Sequence, residues 1–356
     1  LVSETYDAVA LFSGGLDSIL AVKVVEEQGR RVKCLHFLSP FFGKPHKIEH
    51  WSTIYGLDIV GVDVGEDFVR MLENPAHGYG RFLNPCIDCK ILMAAKAREL
   101  MDAYGARCII SGEVLGQRPM SQRRDALNII RRDAQVKDVL VRPLSAKRLD
   151  PTQAEIDGVL DRERLLTLSG RGRKDQMGLA RKYGLKEIPT PAGGCMLAEQ
   201  ESARRYKPLI DLANAEAPEL RASLKPADFD LSNMGRQYWS GTHWLVIGRN
   251  KADNERLTAM AEPEDYLFKV RFFPGPISLG RPLAAAQVER GWSEEALRTA
   301  AALAAWFSPK ARAEGAVRVL ATRRGETQEF EVTPAQNGGG AWGETVWEGS
   351  VEKNQA

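Results

Sequence analysis

The feature that most constrains this chain is a short apolar run, Ala8-Val9-Ala10-Leu11-Phe12, that passes through Ser13-Gly14-Gly15 directly into a helical pattern. A continuous apolar run of this length reads as a parallel strand buried on both faces. From Asp17 to Gln28, Ile19, Leu20, Val24 and Val25 recur at helical spacing, and Gly29 supplies a stop. The alternation then repeats. Val32 to Phe37 reads as a strand, Lys47 to Tyr55 as a helix ended by Gly56, and Asp58 to Asp63 as a strand. Ile91 to Tyr104 reads as a helix ended by Gly105, Cys108-Ile109-Ile110 as a fourth strand, and Val139-Leu140-Val141 as a fifth. Such alternation predicts an α/β fold with a doubly wound, mostly parallel sheet. Ligands of such sheets sit beyond the carboxyl ends of the strands, where Phe12-Ser13-Gly14 and Ser111-Gly112 fall.

The character of the chain changes past the middle. Arg162 to Tyr183 reads as helical with a break at Ser169-Gly170. After Lys207 come short strand-like runs within Asp228 to Glu255, Tyr266 to Phe273 and Ala316 to Thr322, with an Ala-rich helix over Ser293 to Phe307. The expected organisation is a nucleotide-type domain over 1–207, a smaller α+β domain over 208–333 and a loose tail over 334–356, in keeping with a length of 356 residues. No run approaches the roughly 20 apolar residues of a membrane span, and no charged-then-apolar leader opens the chain. A cytoplasmic location without membrane partners is expected.

The turn itself carries chemistry. At a helix start the first backbone amides have no intrahelical acceptor and bear partial positive charge. Gly14 and Gly15 would let phosphate oxygens approach those amides, Ser13 and Ser18 would add hydroxyls, and Asp17 would hold Mg2+ or orient the loop. The structural alternative is a plain strand–turn–helix with Asp17 as N-cap. The hexapeptide Ser13-Gly14-Gly15-Leu16-Asp17-Ser18 resembles the PP-loop of the ATP pyrophosphatases, which split ATP between the α- and β-phosphates and adenylate a substrate. That resemblance implies an adenine-nucleotide α-hydrolase-like domain. It implies pyrophosphate on Ser13, Gly14, Gly15, Asp17 and Ser18, and adenine near His36 and Phe37, held largely by backbone groups. Ser111-Gly112-Glu113-Val114-Leu115-Gly116-Gln117 is similar to the Gly-Asp/Glu-Ser-Leu-Gly-Gln segment of tRNA 4-thiouridine synthetases, which adds Ser111, Gly112 and Gln117 to the cofactor-binding set. Met120-Ser121-Gln122 and Arg142-Pro143-Leu144 continue the likeness.

The chain has five cysteines, too few and too scattered for a disulfide framework. Cys34 and Cys108 lie in strand-like runs. Cys86, Cys89 and Cys195 lie beside Pro and Gly, the first two in Asn84-Pro85-Cys86-Ile87-Asp88-Cys89. That segment resembles the Asn-Pro-Cys-x-x-Cys segment of tRNA 2-thiouridylases and the cysteine pair of iron–sulfur thiolation enzymes. Three readings stay open. Three thiolates can hold a 4Fe-4S cluster with one iron left open. A persulfide or disulfide pair is the second, with thiol pKa values lowered at a helix start. Zinc is the third, although no fourth ligand is evident. The cluster reading is preferred. His77 reads as a surface or packing residue.

From Arg118 to Lys182 there are sixteen Lys/Arg against nine Asp/Glu, while the whole chain carries only +2. This excess makes the stretch a candidate footprint for a polyanion, with Arg118, Arg123, Arg124, Arg131, Arg132, Arg171, Arg173 and Lys174 as the expected contacts; the bland alternative is a set of solvated helix faces. In the second half, Leu245-Val246-Ile247-Gly248-Arg249-Asn250-Lys251 followed by Asn254-Glu255 resembles the RNA-binding domain of ribosome quality-control, fibronectin-binding-like proteins, which implies RNA contacts at Arg249 and Lys251. The bland alternative is a hairpin turn. With no RNA-binding segment ahead of the first strand, this domain is expected to supply RNA binding. The combined expectation is ATP-dependent tRNA uridine thiolation, with Asp17, Cys86, Cys89 and Cys195 as catalytic residues. ATP, Mg2+ and a 4Fe-4S cluster are the expected cofactors. The partners are tRNA and sulfide or a sulfur-donor protein, and a homodimer is allowed. The uridine would be at position 8, as the Gly-Gln segment implies, or at position 34, as the Asn-Pro-Cys segment implies. An ammonia-using amide synthetase and a non-catalytic tRNA- or ribosome-binding protein are the alternatives.

Overall fold

β1 (Ala8–Leu11) lies at the centre of a five-stranded parallel sheet of order β3-β2-β1-β4-β5 in a computed structural model that describes residues 5–189 and 195–345. Its neighbours are β2 (Val32–Leu38) and β4 (Cys108–Ser111), with Ala8 opposite both Val32 and Cys108. β3 (Asp58–Asp63) and β5 (Leu140–Val141) form the edges. Each strand matches an apolar run in the sequence to within one residue. Both faces of β1 are buried, one in a core with Leu20, Val24 and Val25, the other with Leu35, Ala94 and Ala97. A continuous rather than alternating run is what two covered faces require.

Among the described residues, seven α-helices accompany this sheet: α1 (Leu16–Glu26), α2 (Ile48–Tyr55), α3 (Gly65–Glu73), α4 (Cys86–Ala103), α5 (Arg124–Asp133), the short α6 (Gln153–Ile156) and α7 (Lys174–Lys182). α4 begins at Cys86, five residues before the expected start at Ile91. Pro85 stands at its N-cap, and the two cysteines occupy its first turn. The expected helix over 162–183 shrinks to a 3-10 turn at Arg162–Arg164 and α7. Between them Ser169 forms a bridge to Leu115, because Leu166 and Leu168 turn their backbone to Pro143 and Leu144 instead of to one another.

The chain divides into two compact units, 1–198 and 199–356, so the expected break after Lys207 falls inside α8 (Gln200–Ala213). The composition shift coincides with Pro208, but Ala203, Tyr206, Leu209 and Ile210 bury one face of a single helix across it. Tyr206 packs on Phe229 and donates to Asn233 Oδ1 at 2.8 Å, which ties the helix to the second unit. That unit holds a six-stranded antiparallel sheet of order β11-β10-β8-β9-β7-β6. Its strands are β6 (Arg236–Ser240), β7 (His243–Ile247), β8 (Tyr266–Val270), β9 (Ser278–Arg281), β10 (Val317–Arg323) and β11 (Glu326–Val332). The remaining helices are α9 (Pro226–Ser232), α10 (Lys251–Met260), α11 (Ala285–Arg290), α12 (Glu294–Trp306) and α13 (Pro309–Glu314). The alanines of α12 let it lie close against the inner face of the sheet. β11 is invisible to pattern reading because five of its seven residues are exposed and all five are Glu, Thr or Gln. The expected loose tail is packed at least to Thr345. Trp342 is 2 % exposed and donates from Nε1 to Thr299 Oγ1 at 3.1 Å, over Gly338, where a Cβ would strike the indole at 2.5 Å. Among the described residues no helix is long and apolar enough to cross a membrane.

Candidate nucleotide and thiol site

α1 starts with Gly15 at its N-cap, so Asp17 sits inside the first turn and is not the cap. The Ser18 and Ile19 amides both donate to the Gly15 carbonyl, and the Gly15 amide donates to Ser13 Oγ at 3.3 Å. The Leu16 and Asp17 amides have no acceptor among the described residues, as expected of a first helical turn. Ser13 is exposed. Ser18 is buried and donates to the Gly15 carbonyl at 2.8 Å. The two glycines have different jobs. Gly14 has φ +75°, and a Cβ there would lie 2.5 Å from the Trp51 indole. A Cβ on Gly15 would meet only Ser13 Oγ, at 3.3 Å, so this residue faces open space in front of the free amides.

Asp17 Oδ2 accepts from Gln117 Nε2 at 2.9 Å across a separation of a hundred residues. Asp17 Oδ1 and Gln117 Oε1 are both enclosed and have no partner. Two unpartnered oxygens on touching side chains suit a hard cation such as Mg2+, and the amides beside them suit phosphate. The loop carrying Gln117 is fastened by the Leu115 amide, which donates to Ser145 Oγ at 3.0 Å, and by the Gly170 amide, which donates to the Leu115 carbonyl at 2.7 Å. Gly112 is a close-approach glycine. A Cβ would stand 2.6 Å from the Asp17 carbonyl and the Ser18 nitrogen, so at this point the end of β4 meets the first turn of α1 backbone to backbone. Ser111 is buried, its Oγ taking the Glu113 amide at 3.3 Å.

His36 is committed to the fold. Its Nδ1 lies 2.9 Å from the Phe12 carbonyl, and its Nε2 takes the Lys44 amide at 2.9 Å, a pair of contacts that only the neutral ring satisfies. Burial lowers its pKa in agreement. Phe37 is buried in the core. Any adenine contact from these two residues is therefore left to their backbone.

Sequence reading missed the connector between the nucleotide loop and the cysteines. Glu113 follows Gly112 and is itself buried. Its Oε2 accepts from Arg142 Nε at 2.9 Å, and its Oε1 accepts from Lys90 Nζ. Burial opposes ionisation of Glu113, but the two cations outweigh it and hold its carboxyl at about 2. Lys90 follows Cys89 in the chain. Cys86 and Cys89 are half-buried, and Cys86 Sγ donates to Asn84 Oδ1 at 2.9 Å. Cys195 and Cys86 both lie within electrostatic reach of Cys89, and the Leu83 amide donates to the Leu197 carbonyl at 3.2 Å, which holds the Cys195 segment beside the start of α4. The lowered thiol pKa expected at a helix start is not found. Burial pushes both thiols up, at Cys89 with the neighbouring thiols adding to it, and this outweighs Lys90. Among the described residues no three His, Cys, Asp or Glu side chains form a group able to hold a metal ion, so the thiols are neighbours without being a preformed ligand set. Ala192, Gly193 and Gly194 lie outside the described residues. His77 is gripped by Asp88 and Asp133 at 3.0 and 3.1 Å, as a packing residue would be.

The basic residues divide by their partners. Arg123 and Arg132 pair with Asp125 and Asp133, Arg131 lies 3.8 Å from Asp150, and Arg124 donates to the Arg148 carbonyl at 2.6 Å. Arg118, Arg171 and Lys174 are exposed and form no ion pair among the described residues, whereas Arg173 Nε is enclosed without a partner. Lys174 shares with Lys147, Arg181 and Lys182 an open groove of about 650 Å³ floored by Leu166, Leu168 and Leu179. In the second unit, Arg249-Asn250-Lys251 is not a hairpin turn. It joins β7 to α10, with Asn250 Oδ1 capping the helix through the Asp253 amide at 2.9 Å. Arg249 binds Asp253 through both its backbone amide and Nε, while Lys251 is exposed and lies 3.7 Å from Glu255.

Three known structures show a distant likeness. One is the C-terminal part of the fibronectin/fibrinogen-binding protein from Streptococcus suis (17 % identity, 46 % of this chain, 77 % of that one, TM-score 0.25). A predicted subunit of tRNA methyltransferase from Methanocaldococcus jannaschii is another (16 %, 49 % and 75 %, TM-score 0.32). The third is NMN synthetase from Francisella tularensis (12 %, 53 % and 90 %, TM-score 0.26). At these scores none carries an argument. No curated protein matches the chain. Residues 3–150, the segment holding the glycine loop, the Cys86 and Cys89 pair and Gln117, match the family model described as Thiamine biosynthesis protein (ThiI), and over that segment the chain is similar to this family.

Proposed function

We propose that this chain is an ATP-dependent tRNA-modifying enzyme that adenylates a uridine and replaces its oxygen with sulfur. The observation that carries the proposal is the first turn of α1, with two unpartnered amides in front of Gly15 and an enclosed, unpartnered Asp17 oxygen beside them. The family match over 3–150 supports ATP chemistry on tRNA. ATP lies with its outer phosphates on the Leu16 and Asp17 amides and Mg2+ on Asp17 Oδ1. A uridine carbonyl oxygen attacks the α-phosphorus, the bond to the β-phosphate oxygen breaks, and pyrophosphate leaves. The amides meet the charge that develops on the phosphate oxygens. Hydrosulfide, free or released at that oxidation level by a sulfur-donor protein, then bonds to the activated carbon, the carbon–oxygen bond breaks, AMP departs and the sulfur loses its proton.

The proposal extends to the choice of 4-thiouridine at position 8, with 2-thiouridine at position 34 as the other outcome, and to Cys86, Cys89 and Cys195 as the sulfur-handling set. A 4Fe-4S cluster on these thiols would supply an open iron for sulfide. The three sulfurs have the right donor chemistry, but among the described residues they do not stand as a ligand group. In the first unit, Arg118, Arg171 and Lys174 are the proposed RNA contacts; in the second, taken by itself, Lys251 is; the reaction is placed in the cytoplasm. The test is AMP release from the full chain with ATP, Mg2+, sulfide and tRNA, read together with nucleoside mass spectrometry of the tRNA. Thionucleoside formed in step with AMP supports the proposal. AMP release that requires ammonia and ignores tRNA points to an amide-forming adenylase, and RNA binding without AMP points to a non-catalytic binder.

A further inference from the structure

We propose that Glu113 is a positioning residue that fixes the start of α4, with Cys86 and Cys89, against the first turn of α1, so that occupancy of the glycine loop is felt at the thiols. This deepens the ATP reading above and rests on it. The path is continuous and short. Asp17 and Ser18 touch Gly112 backbone to backbone, with no room for a single added carbon. Glu113 is the next residue, and its two carboxylate oxygens are shared between Arg142 at the end of β5 and Lys90 in α4. Lys90 lies one residue beyond Cys89 and one turn beyond Cys86. Each link is stiff for its own reason. Gly112 is held by van der Waals exclusion. Arg142 is 3 % exposed and Glu113 9 %, and a buried carboxylate between two cations resists any motion that separates it from either. A displacement of the α1 turn on binding phosphate must therefore move β4, and with it Glu113 and the α4 start.

Arg142 and Lys90 are not equivalent partners. Arg142 Nη2 is enclosed and unpaired, so it depends on Glu113 for its neutralisation, whereas the Lys90 side chain is 24 % exposed and can lose its partner to water. Lys90 is thus the link that can be cut without leaving a buried charge alone. Lys90→Met retains the Glu113–Arg142 pair and should fold.

The experiment uses the full chain, iron-free, with and without saturating ATP and Mg2+. Calorimetry gives the ATP affinity, thermal melts report folding, and mass spectrometry follows the alkylation rates of Cys86 and Cys89 by iodoacetamide. In the unaltered protein nucleotide should change those rates about fivefold or more, the size of an ordinary coupling between sites. In Lys90→Met the ATP affinity should stay, the melting point should fall only in part because the Glu113–Arg142 pair remains, and the ratio of rates with and without ATP should fall to about one. Using the ratio cancels the direct effect of the lost ammonium on thiol reactivity. Lys90→Arg, which restores a cation that can reach Glu113, should restore the ratio. Retention of the full ratio in Lys90→Met overturns the inference, as does an unaltered protein that binds ATP with no change at either thiol. An unaltered protein that binds no ATP instead overturns the nucleotide reading itself. If Lys90→Met fails to fold, Lys90→Ala, which also removes the donor to Glu113, is read in the same way.

Discussion

Gly112 and Asp17, ninety-five residues apart, are in backbone contact: a Cβ on the glycine would lie 2.6 Å from the aspartate's carbonyl carbon and oxygen. The contact puts the ends of β1 and β4 at one rim, where both proposed halves of the chemistry sit. Gly112→Ala must push the α1 turn away from the sheet. We expect a loss of about 1–3 kcal/mol in stability, measured by denaturant melts, together with weaker ATP binding. A variant with unchanged melts would show that the contact yields without cost.

Gly14 and Gly15 should separate in their effects. Gly14→Ala places a Cβ into Trp51 at a positive φ and is expected to destabilise the fold by about 1–3 kcal/mol. Gly15→Val fills only the space before the Leu16 and Asp17 amides, so thermal stability should stay near that of the parent while ATP-dependent AMP release disappears. The two measurements together, melting and AMP release, decide whether the assignment of roles is right.

Asp17→Asn keeps the shape of the side chain and its contact with Gln117 but removes the charge next to the enclosed Oδ1. Nucleotide binding should become far less responsive to Mg2+, with little change in the melting curve. Titrating ATP affinity against Mg2+ in parent and variant would test this, and equal Mg2+ dependence would place the cation elsewhere.

Glu113 sets an acid limit on stability. Its carboxyl is held at about 2 in the folded chain against 4.5 for the ordinary group. A depressed carboxylate stabilises the fold above its unfolded pKa and ceases to do so as pH falls through the folded value. The contribution, about 3 kcal/mol as an order of magnitude, is therefore present near neutrality and is lost between about pH 4.5 and pH 2. In Glu113→Gln this part of the acid transition should vanish, and stability at pH 7 should fall by about 3–5 kcal/mol because Arg142 and Lys90 lose their shared anion. Stability curves from pH 2 to 7 for both proteins would settle the sign.

The thiols give a separate test. Because burial raises the pKa of Cys86 and Cys89, the iron-free protein should be alkylated slowly at pH 7 at both, with rates that climb only beyond the usual thiol range. Purification without oxygen should yield brown protein with about four irons per chain if the cluster proposal holds, and Cys195→Ala should abolish both colour and sulfur transfer while sparing ATP binding. Colourless protein that thiolates tRNA at full rate would remove the cluster.

Much of the first unit was legible because its determinants are local. Buried parallel strands must be apolar on both faces, so Ala8–Leu11 and Cys108–Ser111 announce themselves, and a strand ending in Gly-Gly before a helix exposes amides wherever it occurs. β11 and α8 were not legible: one is an exposed polar edge strand whose order comes from its ladder to β10, the other a helix that continues through Pro208 because Tyr206 and Ile210 are buried together.

By itself, the sequence determined the five strands of the first sheet, the glycine turn that opens α1 and which cysteines stand apart from the core, all of them consequences of side-chain type along a few neighbouring residues. Tertiary structure alone decided that Gln117 meets Asp17, that Gly112 lies on α1, that Glu113 is shared by Lys90 and Arg142, and that the thiol pKa values rise where a helix start would lower them. Those are long-range contacts and burial. Their energies depend on which distant groups share a low-dielectric space, and no window along the chain contains that information.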